Sequence, residues 1–475
     1  MSLFIRIPFL GKKLEGFGHQ EWLAGHTLII LKIWHKEGIK THYYALPYTF
    51  YRTADKHIPF IPGITDFRGN GYYISYPPFA FYLLYAVVYA FSITPNEVFL
   101  QITTLIVQWV VGVLIYLLLI KSGVSVKISL LSASGYFFLP ISLRYHTQAY
   151  FCDILAQIGI LLVLLSYQAY IRDVSLQKTI WLGLCLFSLT FTEWIGFFLC
   201  ISIVVHNLTL NKKSTKTLHI LLWIGCSTLS IFLTLWIYSQ ISGKEVFWQA
   251  ITEKTTHRVL SHQEPYFSRW DLDTYKTIFW YYIAHYYPVI IFILITFILS
   301  RLNKSKNIAT TNITSIYIPF KVSFSAIFLH HLAFLNFTAE NDFAVLKMAI
   351  PILIICAILL EKQKQSDVIV WGYIIVMSTA ALYVSIKGTY VQKTQHIQEF
   401  AKKLVELSPS DEVLVLHSCS SISPQVMYYA ERNVYMNISN EQLKAHLTRY
   451  HLKKAVILHT DWQYNIKKIE YFTLE

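Results

Sequence analysis

The chain has 475 residues, of which 55% are hydrophobic, 16% aromatic and only 14% charged, with a mean hydropathy of +0.44. That balance excludes a water-soluble globule of this length and indicates a multi-pass membrane protein. The formal charge of +13 does not point to a nucleic-acid partner, because Lys and Arg recur in short runs between apolar segments and are not massed in one patch with interleaved aromatics.

The first residues, broken by Arg6 and Pro8, are too short for a signal peptide or a spanning helix. From Gln20 to Trp34 the residues Trp22, Leu23, His26, Ile29, Ile30, Ile33 and Trp34 recur with helical period, which predicts an amphipathic helix lying along the membrane surface. Glu21 falls in its first turn, where the backbone dipole favours a carboxylate even if that carboxylate does no chemistry. The apolar stretch Pro78–Phe91 reads as an interfacial or re-entrant helix, since a crossing there would reverse the side on which every later basic loop falls.

Ten spans follow, near 98–120, 127–143, 150–170, 179–192, 195–210, 217–240, 277–300, 317–336, 343–360 and 368–386. The basic connectors Lys121 with Lys127, Arg172 with Lys178, Lys212 with Lys213 and Lys216, Arg301 with Lys304 and Lys306, and Lys362 with Lys364 then share one side, the cytoplasm by the positive-inside rule. The other side receives the Leu14–Pro78 loop, the Arg144–Asp153 turn, Glu193, the Ser242–Lys276 loop, the Asn336–Asp342 turn and the C-terminus. An exported N-terminus is awkward for this count, so a leading span is expected before Met1. After about Gln392, helices alternate with short strands, and Ser439 with Gln442 forms a capping-box pattern. The expected fold is mainly α: a multi-pass helical membrane protein with an extracytoplasmic first loop (1–97), a transmembrane domain (98–391) and a small α/β domain (392–475). Six scattered Cys with no CxxC pair indicate neither disulfides nor a metal site.

Ionisable groups are costly at membrane depth, so those at the outer span ends are functional candidates. They are Arg144, His146, Asp153, Glu193, His330, His331, Asp342 and Lys347, joined by Glu21, Lys56 and His57 from the first loop. Each taken singly could only snorkel or pair with a neighbour; as a set they put carboxylates and cations at one membrane face. His330 and His331 are the weakest candidates for a shared ligand, because adjacent helical residues point about 100° apart.

The runs Arg6-Ile-Pro8, Glu15-Gly16-Phe17-Gly18-His19-Gln20-Glu21-Trp22 and Gly69-Asn70-Gly71-Tyr72-Tyr73-Ile74-Ser75-Tyr76-Pro77-Pro78-Phe79 resemble the first outer loop of GT-C polytopic glycosyltransferases. The particular likeness is to the bacterial protein O-mannosyltransferase and aminoarabinose transferase superfamily. It extends to Arg144–Asp153, Thr192-Glu193-Trp194, Asn341-Asp342-Phe343 and the tail from Asp411. The chain departs from that pattern at Gln20, where relatives carry an acidic residue, and at Asn341, where a His is common. The resemblance implies transfer of a sugar from a polyprenyl-phosphate donor to an acceptor hydroxyl (protein, lipid or glycan) at the outer face of a bacterial inner membrane, with no cofactor or metal. It implies Glu21, with Glu15 as the alternative, as general base, and Asp153 as orienter or second acid. Arg144, Lys56 and Lys347, with His146 and His57 behind them, would hold the donor phosphate. His19, Glu15, Glu193, Asp342 and Tyr76 lie in the same motifs. Two other readings share the charged cavity, a lipid or solute transporter or flippase and an inactive binding protein. The lack of a two-fold internal repeat speaks against the transporter.

Overall fold

In a hydrocarbon environment the backbone can satisfy its own polar groups as a helix, and the long apolar runs of this chain fold that way. The computed structural model describes residues 10–15, 19–58, 64–147, 149–210, 217–260, 271–302, 313–362, 367–391, 397–408, 411–418, 424–461 and 464–474. Arg6–Pro8, Gly16–Gly18, the basic loops at 211–216, 303–312 and 363–366, and residues 409–410 of the turn before the first tail strand lie outside the described residues. In chain order the helices begin with α1 (His19–Glu37), α2 (Phe79–Ala90), α3 (Glu97–Lys121), α4 (Val126–Tyr136), α5 (Pro140–Tyr145) and α6 (Cys152–Arg172). They continue with α7 (Leu176–Thr190), α8 (Ile195–Thr209), α9 (Thr217–Ser242), α10 (Lys244–Leu260), α11 (Leu272–Leu302), α12 (Tyr317–Ala333) and α13 (Leu335–Glu340). The last are α14 (Ala349–Lys362), α15 (Asp367–Val391), α16 (Ile397–Leu407), α17 (Pro424–Ala430) and α18 (Asn440–Arg449).

Five described helical stretches are long and apolar enough to cross a membrane: Glu97–Lys121, Cys152–Arg172, Thr217–Ser242, Leu272–Ile298 and Asp342–Lys362. This is a multi-pass membrane protein. The expected span at 127–143 is instead two pieces, because Pro140 cannot continue the preceding helix and restarts the chain at the first turn of α5. The segment expected as an outer loop after Ser242 contains α10, and α11 begins at Leu272, five residues before the expected start of that span.

The chain divides into two compact units, each assembled from separated stretches. Unit one is built mainly from Gln101–Thr234 and Thr255–Thr389; unit two contains Gly11–Leu100, Leu235–Lys254 and Tyr390–Glu475. In unit one, α3 buries Val107, Val111, Ile115 and Leu118 and leaves Ile106, Trp109, Val113 and Leu117 exposed. A helix apolar on its outward face as well as its inward one is suited to lipid. Gly159 of α6 lets α7 approach, since a Cβ there would stand 2.7 Å from Leu189.

Unit two is organised around α1, which is nearly wholly buried from Leu23 to Ile30 and again at Leu31, Ile33 and Trp34. The expectation of a surface-lying amphipathic helix is therefore corrected: α1 is a central helix packed by α17, α2 and the first strand. Its polar face is small because Gly25, Thr27 and His26 fill it with compact groups that can be buried. The strands β1 (Leu46–Pro47), β2 (Ile64–Thr65) and β3 (Gly71–Tyr73) form an antiparallel sheet in the order β1-β3-β2, with Leu46 opposite Tyr73 and Ile64 opposite Tyr72. In the tail, β4 (Val413–Ser418), β5 (Tyr435–Met436), β6 (Lys454–Thr460) and β7 (Ile466–Thr473) form a sheet ordered β5-β4-β6-β7, parallel except for the β6–β7 pair. The capping box forms as expected at Ser439, whose side chain accepts from Gln442 N. The tail shares its core with the first loop: Ala54 and Ile58 pack with Val413, Val415, Leu443 and Leu447.

Candidate functional site

Each unit carries its own cluster of ionisable side chains. In unit one the 3₁₀ turn Asp342–Met348 is charged at both ends. At its far end the Lys347 ammonium donates to Asp153 Oδ1 and lies 3.6 Å from Glu193 Oε1, with all three side chains at most 1% exposed. Glu193 is placed by the α7–α8 turn, where its Oε2 accepts from Ile195 N at 2.7 Å, while His330 Nε2 of α12 stands 3.2 Å from Oε1. A buried carboxylate or ammonium is tolerable only when paired in this way. At the near end Asp342 Oδ2 accepts from Arg144 Nη1 at 2.8 Å, and the Tyr145 hydroxyl donates to Oδ1. His285 of α11 approaches the same carboxylate at 3.5 Å. Arg144 is the accessible member, 38% exposed against 9% for Asp342.

In unit two Glu21 opens α1 and is buried, with Gln20 Nε2 donating to its Oε1 at 3.3 Å. Just over a turn further on, His26 Nε2 is 2.6 Å from the Tyr48 hydroxyl, and its ring is surrounded by Trp22, Tyr48 and Tyr73. Burial, reinforced by the nearby Lys254 ammonium, pushes the His26 pKa down to about 3, so the ring is neutral. Lys254 of α10 lies 5.0 Å over the Tyr73 ring and donates to Ser75 Oγ at 2.7 Å. Tyr73 in turn stacks against Tyr76 at 6.2 Å. On the β-hairpin side, Lys56 Nζ donates to Asn70 Oδ1 at 2.7 Å, and Asn70 is held by Asp66. Burial lowers the pKa of both Lys56 and His57. His57 packs against Gly71, where a Cβ would come within 2.8 Å of its Nδ1.

The expected site residues thus fall into two groups. Arg144, Asp153, Glu193, Asp342, Lys347, His330 and His331 are in unit one, and the first six join in the two networks of one turn. Glu21, His19, Lys56, His57 and Tyr76 are in unit two. Three expectations meet a structural role instead. Glu15 Oε2 accepts from Ile397 N at 2.8 Å and so caps α16. His146 is fully buried with one ring nitrogen 2.8 Å from the Tyr136 hydroxyl and the other 3.2 Å from Thr104 O, so both nitrogens are engaged within the protein. His331 Nε2 is 3.2 Å from the Ala344 carbonyl and its Nδ1 2.8 Å from the Tyr282 hydroxyl.

Sequence reasoning passed over His26, counted as part of an apolar stripe, and Lys254, in a stretch read as loop. It also passed over His285, although an ionisable residue inside a span is a legible signal. Among the described residues no three His, Cys, Asp or Glu side chains gather as metal ligands.

No family model matches the sequence, and no curated protein matches it significantly. Solved structures do match. ArnT from Cupriavidus metallidurans bound to undecaprenyl phosphate superposes with a TM-score of 0.60 at 10% identity, over 97% of this chain and 91% of that one. Its apo state gives 0.55 at 9% identity with the same coverage. The Archaeoglobus fulgidus oligosaccharyltransferase tethered to an acceptor peptide with the NVT sequon gives 0.50 at 12% identity, over 96% of this chain and 67% of that one. The fold is that of the GT-C membrane glycosyltransferases. It extends over nearly the whole chain, including the α/β tail.

Proposed function

We propose that this protein is a membrane glycosyltransferase that moves a sugar from a polyprenyl-phosphate donor to an acceptor hydroxyl on the extracytoplasmic side of the bacterial inner membrane. The observation that carries the reading is the GT-C fold over 97% of the chain, shared with a protein bound to undecaprenyl phosphate. The basic connectors, read by the positive-inside rule, support an outer position for the large loops and the C-terminus.

In the reaction the acceptor oxygen attacks the anomeric carbon as its proton passes to a base, and the bond from that carbon to the phosphate oxygen breaks to release polyprenyl phosphate. We assign the base to Glu21, a buried carboxylate in the first turn of α1. His26, neutral at physiological pH, orients Tyr48. The charge growing on the leaving phosphate calls for a fixed cation in a site shielded from water. Each unit offers its own: Lys254 and Lys56 in unit two, Arg144 in unit one. Lys347 is not among them, since it is fully buried between two carboxylates.

The test is acceptor-dependent release of polyprenyl phosphate from a labelled lipid-linked sugar by the purified protein, with a peptide, a lipid and a glycan offered as acceptors. Vesicle uptake of an intact donor with no release overturns the reading in favour of a carrier. Glu21→Gln is expected to lower turnover by about 100-fold or more with an unchanged elution profile; full activity in that variant moves the base elsewhere.

A further inference from the structure

Lys347 is usually the kind of residue one would hand to a phosphate, but its surroundings give it other work. Its ammonium is held from two sides by Asp153 at the start of α6 and by Glu193 between α7 and α8, and Glu193 is itself held by His330 of α12. Lys347 therefore ties the Asp342–Met348 turn directly to α6 and to the α7–α8 turn, and through Glu193 to α12. To reach a ligand, Lys347 would have to leave two buried carboxylates without their cation. Asp153 has no slack to offer, because its Oδ2 is already buried with no hydrogen-bond partner among the described residues.

Five residues earlier on the same turn, Asp342 grips Arg144 through Oδ2 and receives the Tyr145 hydroxyl on Oδ1. Exposure falls steadily along this line, from 38% at Arg144 through 9% at Asp342 to 0% at Lys347. A guanidinium held by a carboxylate presents its remaining donors in a fixed direction, and the direction is only as fixed as the carboxylate. We propose that Lys347 is a positioning residue: by pinning the turn it sets Asp342, and through Asp342 it aims the Arg144 guanidinium at the donor phosphate, without touching the donor itself. The inference rests on the reading that Arg144 meets the phosphate.

The test is a double-mutant cycle on the detergent-solubilised full chain, reading the Kd for undecaprenyl phosphate together with KM and kcat for the lipid-linked sugar. Because Lys347→Met alone strands two buried carboxylates, the cycle uses the charge-balanced pair Asp153→Asn/Lys347→Met, the variant Arg144→Ala, and all three substitutions together. Loss of a charge-assisted contact at Arg144 is expected to weaken undecaprenyl phosphate binding by about ten-fold or more. The Lys347 pair is expected to weaken it several-fold alone, read in both Kd and KM, and not at all in the Arg144→Ala background. If the two losses multiply, Lys347 acts on the donor independently and the inference is overturned while the Arg144 assignment stands. Should Arg144→Ala bind as tightly as the parent protein, the phosphate assignment itself falls and takes the inference with it. If the charge-balanced pair does not purify folded, Lys347→Arg, which keeps the charge but alters the length of the tie, runs through the same cycle with the same outcomes.

Discussion

In unit one the Lys347 ammonium answers the Asp153 and Glu193 carboxylates, with His330 beside Glu193, each at most 1% exposed. In unit two His26 is buried nearly as deeply, yet its neighbours are the Tyr48 hydroxyl and aromatic rings, and it is kept neutral. The first arrangement holds ions by mutual compensation, so it cannot lose one member cheaply. The second avoids the ion altogether, so its weak point is a change of pH. A chain that crosses lipid meets both problems, and the two units solve them with different residue types.

The largest expected effect breaks the first arrangement. Lys347→Met is expected to cost about 3–5 kcal/mol, the usual penalty for stranding a buried charge, measured as thermal or denaturant unfolding in detergent. Asp153→Asn/Lys347→Met is expected to recover most of that loss; no recovery would mean that packing, not charge, holds the turn.

The second arrangement is tested by acid. The folded-state pKa of His26, about 3, lies below its ordinary value of 6.5, so its contribution to stability is complete above pH 6.5 and drains away as the pH falls toward 3. One such proton gives a slope of about 1.4 kcal/mol per pH unit. Asp55 runs the other way. Burial, only partly offset by Arg432, raises its pKa from 3.8 to about 6, so its contribution is complete below pH 3.8 and is lost as the pH rises through 6. Between pH 7 and pH 4.5, His26→Gln should therefore lose less stability than the parent chain, and Asp55→Asn should lose more. Equal curves for all three would show that neither group is held as described.

Two smaller effects sharpen the view of unit two as one folded body. Gly25→Ala places a Cβ 2.9 Å from Gln425 N, a backbone atom of α17 that cannot swing aside, and is expected to cost about 1–3 kcal/mol in unfolding experiments. Ser439→Ala removes the hydrogen bond at the N-terminus of α18 and is expected to cost about 1 kcal/mol. If the first substitution destabilises the tail sheet as seen by amide exchange and the second leaves α1 protected, then α1 and the tail share a core that the far end of the tail does not control.

Much of this was legible in the linear order of residues. Runs of about 20 apolar residues force helices because lipid offers the backbone no partners, and the segments near 98–120, 150–170 and 217–240 fold as such. The capping box at Ser439 and Gln442 involves neighbours three residues apart, so it can be read locally. Beyond that range the residues alone were silent. Nothing local links Glu15 to Ile397, Gly25 to Gln425 or Lys347 to Asp153, contacts made between stretches separated by much of the chain. β7, with Lys467, Lys468 and Glu470 in its eight residues, is defined as a strand by its antiparallel pairing with β6. Period and composition fix which segments must leave water, since that depends on each segment's own groups. Which cation a buried carboxylate faces depends on what the fold brings beside it, and so the choice between a phosphate ligand and a strut at Lys347 belongs to the tertiary structure alone.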